Sequence, residues 1–261
     1  MIDGLIDTLS FSKLDLEMFA GLFARISAAV FLLPAFGEQA VPARVKLVAA
    51  LCLTSLFISS IPNLEAYRTI GTSFPLLLYV EAINGLIIGF FLRSLIFILQ
   101  TCGTIAAQSA SLAQSFGAGV GIDPQPAFST LFVVGGLALL SLSNWHVSII
   151  YFLRATLSVF SFGNWPNAAI VSEWGIYYVA DAFLMGFSLA TPFVAVSLIY
   201  NLGIGFINKA MPQLMVAMVG APAASFLGLT MLAISSPVIL AFWENTISLN
   251  LLISLSLNHE R

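Results

Sequence analysis

Charge is what this sequence has least of. Lys, Arg, Asp and Glu make up 8% of its 261 residues, where a soluble domain carries about 25%. So few ionised groups cannot clothe a fold in water, which excludes a soluble globular protein. The 9 basic residues are scattered and outnumbered by 12 acidic ones. Without a basic tract there is no electrostatic footprint for nucleic acid. Cysteine is nearly absent. Cys52 and Cys102 lie in apolar stretches without metal-ligand spacing, and each reads as a small hydrophobe. The two histidines, His146 beside Trp145 and His259 near the C-terminus, belong to no His-Glu-x-x-His helix. A Gly-x-Ser-x-Gly elbow and a Walker A loop are missing too. No base stands near a nucleophile, so neither an enzyme nor a metal or other cofactor is expected. Segments of alternating polarity, the mark of a membrane β-barrel, are also lacking. The N-terminal run Met1-Ile2-Asp3-Gly4-Leu5-Ile6-Asp7 carries acids where a secretory signal needs positive charge, so no cleaved signal is expected.

What is present is apolar length. Hydrophobic residues make up 59% of the chain, and the mean hydropathy is +1.01. They fall into runs at about 16–36, 45–61, 75–101, 127–151, 174–207 and 214–243, with a closing piece at 247–257. A membrane-spanning helix needs roughly 20 such residues. The pattern predicts an all-α membrane protein of about six long hydrophobic helices arranged in hairpins. The fifth run is longer than one span requires and contains Pro192, and the sixth contains Pro222 and Pro237. Kinks are expected at these prolines. Arg44 and Lys46 favour a cytoplasmic position for the turn between the first two runs.

Four ionisable residues interrupt the runs: Arg25, Glu81, Arg93 and Asp181. A charge near mid-bilayer costs about 2.5–3.5 kcal/mol on insertion scales, so each needs a partner, a watery interface or a functional reason. Glu81 and Arg93 stand twelve residues apart, about 120° around a helix, and do not pair along one face. Gly85 and Gly89 form a GxxxG, and Gly117 and Gly121 repeat the spacing; such spacing lets helix backbones approach closely. Asn201 and Asn208 share a helix face with Gly205 between them. Met211, Met215 and Met218 would share a face if helix continued through Pro212. The stretch 103–126 differs from the rest. It holds Gln108, Ser109, Ser111, Gln114 and Ser115, then Phe116-Gly117-Ala118-Gly119-Val120-Gly121-Ile122-Asp123-Pro124. Irregular backbone at membrane depth is tolerated only when buried in protein or facing water. An external loop and a re-entrant constriction both satisfy that condition.

Taken in order, these segments resemble the FliR family of the flagellar export gate, whose relatives in injectisomes are the SctT/SpaR-type proteins. The resemblance rests on Phe23-Ala24-Arg25-Ile26 and on Gly37-Glu38-Gln39-Ala40-Val41-Pro42-Ala43-Arg44-Val45-Lys46-Leu47. It continues through Gly85-Leu86-Ile87-Ile88-Gly89-Phe90, Asp123-Pro124 and Asn144-Trp145-His146. Its most specific block is Asn201-Leu202-Gly203-Ile204-Gly205-Phe206-Ile207-Asn208-Lys209-Ala210-Met211-Pro212-Gln213-Leu214, followed by Val219-Gly220-Ala221-Pro222. The stretch Ala107-Gln108-Ser109-Ala110-Ser111-Leu112 departs from the family's Leu-Gln-Met-Gly-Leu-like pattern.

The resemblance implies a single integral membrane domain over 1–261, with a FliP-like part at about 14–160 and a FliQ-like hairpin at about 170–257. It implies a non-enzymatic gate subunit in the bacterial inner membrane, at the flagellar basal body, through which unfolded flagellar proteins pass. The expected partners are FliP-like and FliQ-like subunits, FlhB-like and FlhA-like export proteins, and lipid. A pore plug is expected from Gln108, Gln114, Phe116, Gly117, Gly119, Gly121, Asp123 and Pro124. Helix packing and assembly are expected of Arg25, Glu38, Pro42, Arg44, Gly85 and Gly89, and of Asn201, Gly205, Asn208, Pro212 and Gln213. Two other readings stay open: an injectisome subunit, and a small-molecule secondary transporter with Asp181, Glu81 or Arg25 at its substrate site. Transporters often show internal repeats, and no convincing repeat is visible.

Overall fold

A computed structural model of the protein describes residues 13–38, 41–58, 73–111, 127–211 and 216–256. All the regular structure among these residues is helical. In chain order the helices are α1 (Lys13–Leu32), α2 (Ala43–Phe57), α3 (Phe74–Ser111), α4 (Ala127–Leu142), α5 (Trp145–Val159), α6 (Ala168–Ala210) and α7 (Val216–Ser256). Three stretches are long and apolar enough to cross a membrane: Phe74–Ala110, Ala168–Ala210 and Pro222–Ile247. A fourth crossing arises if α4 and α5, bent by 83° at their junction, act as one broken span.

The helices depart from the apolar runs in several places. The first run stops being helix at Leu32. Beyond it, Ala35 takes φ 70°, and the Gly37 N–H returns to the Leu33 carbonyl at 2.6 Å. The third run continues as helix ten residues past Thr101, to Ser111. Gly103 and the hydroxyl residues do not break it. The Thr104 hydroxyl donates to the Gln100 carbonyl at 2.7 Å, and the Ser109 hydroxyl donates to the Ala106 carbonyl at 2.8 Å. The polar segment expected at 103–126 is therefore helical in its first part. The fourth run is broken at Asn144, whose φ is 56°; Asn is among the few residues that take a left-handed conformation readily. The sixth run and the closing piece join in one 41-residue helix, α7, with Pro222 and Pro237 inside it.

The chain forms two compact units. One comprises Met1–Arg93, His146–Ile176 and Leu251–Arg261, and the other Ser94–Trp145 and Tyr177–Asn250. In the first, α1 packs on the N-terminal half of α3. Met18, Leu22, Ile26 and Ile88 are buried there, and Gly85 comes so close to the Arg25 carbonyl that a Cβ would collide with it. A Cβ on Gly89 would stand 2.8 Å from that of Leu32. In the second unit, the C-terminal half of α3 packs on α4, α6 and α7. Gly103 meets the backbone of Ser129, and Gly186 faces the Ile98 carbonyl. The buried Trp243 indole of α7 donates to the Leu95 carbonyl at 2.9 Å.

Candidate functional site

The first unit is organised around a buried ion pair. Arg25 on α1 and Glu81 on α3 are 2% and 0% exposed. Arg25 Nη2 donates to Glu81 Oε1 at 2.9 Å, and Arg25 Nε donates to Oε2. The remaining arm of the guanidinium, Nη1, donates to the Phe160 carbonyl at 2.8 Å. Glu81 Oε1 also accepts the Gly163 N–H at 2.7 Å. One turn along α3, Asn84 donates to the Asn164 carbonyl at 3.2 Å. A fork-on-fork pair of this kind satisfies both ions at once. It fastens the segment between α5 and α6 to α1 and α3. Gly163 takes φ 78° there, a conformation that glycine adopts without a Cβ penalty. Phe162 is buried against Gly21, with its ring 3.0 Å from where a Cβ would stand.

A second pair lies nearer the surface. Arg93 donates to Glu38 at 2.6 Å, with the two side chains about a quarter exposed at 23% and 28%. It ties the turn after α1 to α3. In the same turn, Lys46 Nζ donates to the Gly37 carbonyl at 3.2 Å and sits 5.2 Å from the centre of the Phe31 ring. Three of the four charges within the apolar runs thus have an ion-pair partner inside the chain. The fourth, Asp181 on α6, is half-buried.

The other expected residues are dispersed. Pro42 precedes α2, and its carbonyl accepts the Val45 N–H at 2.9 Å. Arg44 is exposed in the first turn of α2. Gly85 and Gly89 make their close approach to α1 of the same chain. Asn201, Gly205 and Asn208 lie exposed on α6. Asn201 donates to the Ser197 hydroxyl at 3.2 Å, and a Cβ on Gly205 would meet nothing. Gln108 is exposed near the C-terminal end of α3. Gln114, Phe116, Gly117, Gly119, Gly121, Asp123, Pro124, Pro212 and Gln213 lie outside the described residues, as does Met215, while Met218 lies in the first turn of α7.

Sequence reasoning did not find the carbonyl of Phe160 or the N–H of Gly163 as partners of the ion pair. The signal for them is thin: opposite charges in two different runs and a Phe-Gly-Asn turn elsewhere. In the second unit, Ser109, Ser197, Tyr200, Asn201 and Met231 border a small cavity of about 20 Å³. That is room for roughly one water molecule, not for a transported solute. Ser197 spans it to the Ser109 carbonyl at 2.6 Å, and Tyr200 donates to the Gly220 carbonyl at 2.5 Å.

Comparison with known proteins adds to this geometry. The family described as "Bacterial export proteins, family 1" matches residues 16–249. The chain is similar to the "Flagellar biosynthetic protein FliR" of Caulobacter vibrioides, with 28% identity over 227 residues, covering 86% of this chain and 90% of that protein. The protein of the same description from Escherichia coli is 28% identical over 233 residues, covering 86% of each chain. That from Bacillus subtilis is 28% identical over 245 residues, covering 88% of this chain and 90% of its own.

Proposed function

The chain belongs to the bacterial export proteins, family 1, and on that premise we propose that it is a non-enzymatic subunit of a flagellar type III protein export gate. The relatives named above are flagellar biosynthetic proteins, which favours flagellar over injectisome use. The observation that carries the reading is the uncovered apolar surface of α6 and α7. Within their most apolar stretches, 22% of α6 and 11% of the Pro222–Ile247 part of α7 are buried inside the chain. Helices this apolar need a non-aqueous neighbour, and in a gate that neighbour is lipid or another subunit's helix.

On this reading the gate lies in the bacterial inner membrane at the flagellar basal body. FliP-like and FliQ-like subunits pack beside the chain, FlhB-like and FlhA-like export proteins stand next to them, and unfolded substrates pass through. The chain is one integral membrane domain, with its FliP-like part at about 14–160 and its FliQ-like hairpin at about 170–257. Exposed Asn201, Gly205 and Asn208 on α6 suit close approach by a partner helix. Gln108 leads from α3 toward the segment assigned here as the plug. Deleting the gene is expected to abolish secretion of flagellar proteins into the medium while their cellular levels persist, and the full chain supplied in trans restores it. Undiminished flagellar secretion in the deletion strain would overturn the proposal. Removing residues 117–121 tests the plug: conductance of the assembled gate to small ions is expected to rise. Normal assembly with unchanged conductance would reject that role.

A further inference from the structure

The hydroxyl residues of α6 follow one rule with one exception. Ser172, Ser188 and Thr191 turn their hydroxyls back onto carbonyls of their own helix, those of Ala169, Leu184 and Phe187. That is the usual course for Ser and Thr inside a helix. Ser197 reaches across instead, to the Ser109 carbonyl of α3 at 2.6 Å. Ser109 belongs to the last turn of α3, where carbonyls lack an N–H of their own helix to accept. The bond therefore caps one helix from the side of another. Asn201, one turn along α6, donates to the Ser197 oxygen at 3.2 Å, which leaves the hydroxyl proton for the Ser109 carbonyl.

On the same turn of α6, Tyr200 makes a similar reach to α7, donating to the Gly220 carbonyl at 2.5 Å. Gly220 lies in the first part of α7, ahead of Pro222. Pro222 has no N–H to return to the preceding turn, so this part is tied less firmly to the rest of its own helix. The tyrosine supplies a hold from outside. Helix α7 also meets the end of α3 directly, where a Cβ on Gly228 would stand 2.7 Å from that of Ala110. One turn of α6 thus fastens the end of α3 and the start of α7. The Ser197 bond is also releasable. Its hydroxyl keeps an alternative acceptor one turn back on its own helix, as its neighbours do. The cavity of about 20 Å³ beside Ser109, Ser197, Tyr200 and Asn201 leaves unfilled space in which to turn. We propose that Ser197 and Tyr200 are positioning residues of the gate, a hydroxyl latch that keeps α3 and α7 against α6 in the resting, ion-tight state and lets go when the gate opens. This rests on the export reading and adds to it a means of holding the closed state.

The test uses the assembled gate, isolated in mild detergent with its partner subunits and reconstituted in planar bilayers. Its conductance in potassium chloride is measured without export substrate. Ser197→Ala and Tyr200→Phe are each expected to raise the resting conductance about fivefold, the shift in a closed–open equilibrium that follows from one lost hydrogen bond. The same subunits are recovered in the same amounts. Ser197→Thr keeps the hydroxyl and stays near the wild-type conductance. Wild-type conductance in both Ser197→Ala and Tyr200→Phe would overturn the latch. Loss of the assembled particle in either variant would mark a structural role and overturn it too. An equal rise in Ser197→Thr would make the effect one of side-chain volume and would also reject it. The export reading fails separately, by undiminished flagellar secretion in the deletion strain, and the latch falls with it.

Discussion

Glu81 is held by three donors, two from Arg25 and one from the Gly163 backbone, in a site with no exposure to solvent. Removing one partner of such a pair strands a charge and costs about 3–5 kcal/mol, whereas removing both together is often mild. Arg25→Met is therefore expected to depress thermal stability in detergent steeply. The double variant Arg25→Met/Glu81→Leu should recover much of the loss, and a strictly additive double variant would contradict the pairing. Gly163 is a second sensitive position. Its φ of 78° makes Gly163→Val costly by about 1–2 kcal/mol or more, readable in the same melting experiment. Only part of this was legible in the sequence. Arg25 and Glu81 stand out because apolar runs seldom carry charges. Their mutual pairing across 56 residues, and the carbonyl and N–H that complete it, depend on tertiary placement that local pattern does not encode.

Among the elements, the apolar runs located the helices but misjudged where several end. The break between α4 and α5 falls inside a run, because Asn144 is polar enough to turn and too small a polar interruption to end a hydrophobic window. Helix α3 runs on through Gly103 for the opposite reason: the glycine serves a close approach to the Ser129 backbone rather than a turn. Two glycines that the sequence marks for helix packing, Gly85 and Gly205, also separate here. A Cβ on Gly85 would strike the Arg25 carbonyl, while one on Gly205 meets nothing within the chain. Gly85→Ala should destabilise the purified chain. Gly205→Ala should leave it unchanged or raise its stability by up to about 1 kcal/mol, the helix preference of alanine over glycine. If the exposed face of α6 meets a partner helix, Gly205→Ala should nonetheless weaken flagellar secretion in cells. Full secretion by that variant would remove Gly205 from the interface.

For the whole molecule, composition announced an all-α membrane protein, and three long apolar helices plus a bent pair agree with it. The structure changes what the hydrophobicity is for. The runs suggested about six long hydrophobic helices, and among the described residues α2 has 15 residues and α1 stops at a charged, hydrogen-bonded turn. The largest apolar exposure sits on α6 and α7, which cover little of each other's surroundings within one chain. Faces this apolar call for lipid or the helices of neighbouring subunits. The most direct measurement is the mass of the particle recovered when the chain is extracted from its own membranes in mild detergent. The account predicts a multi-subunit assembly containing FliP-like and FliQ-like proteins. A lone, monodisperse chain that transports a small solute would contradict it.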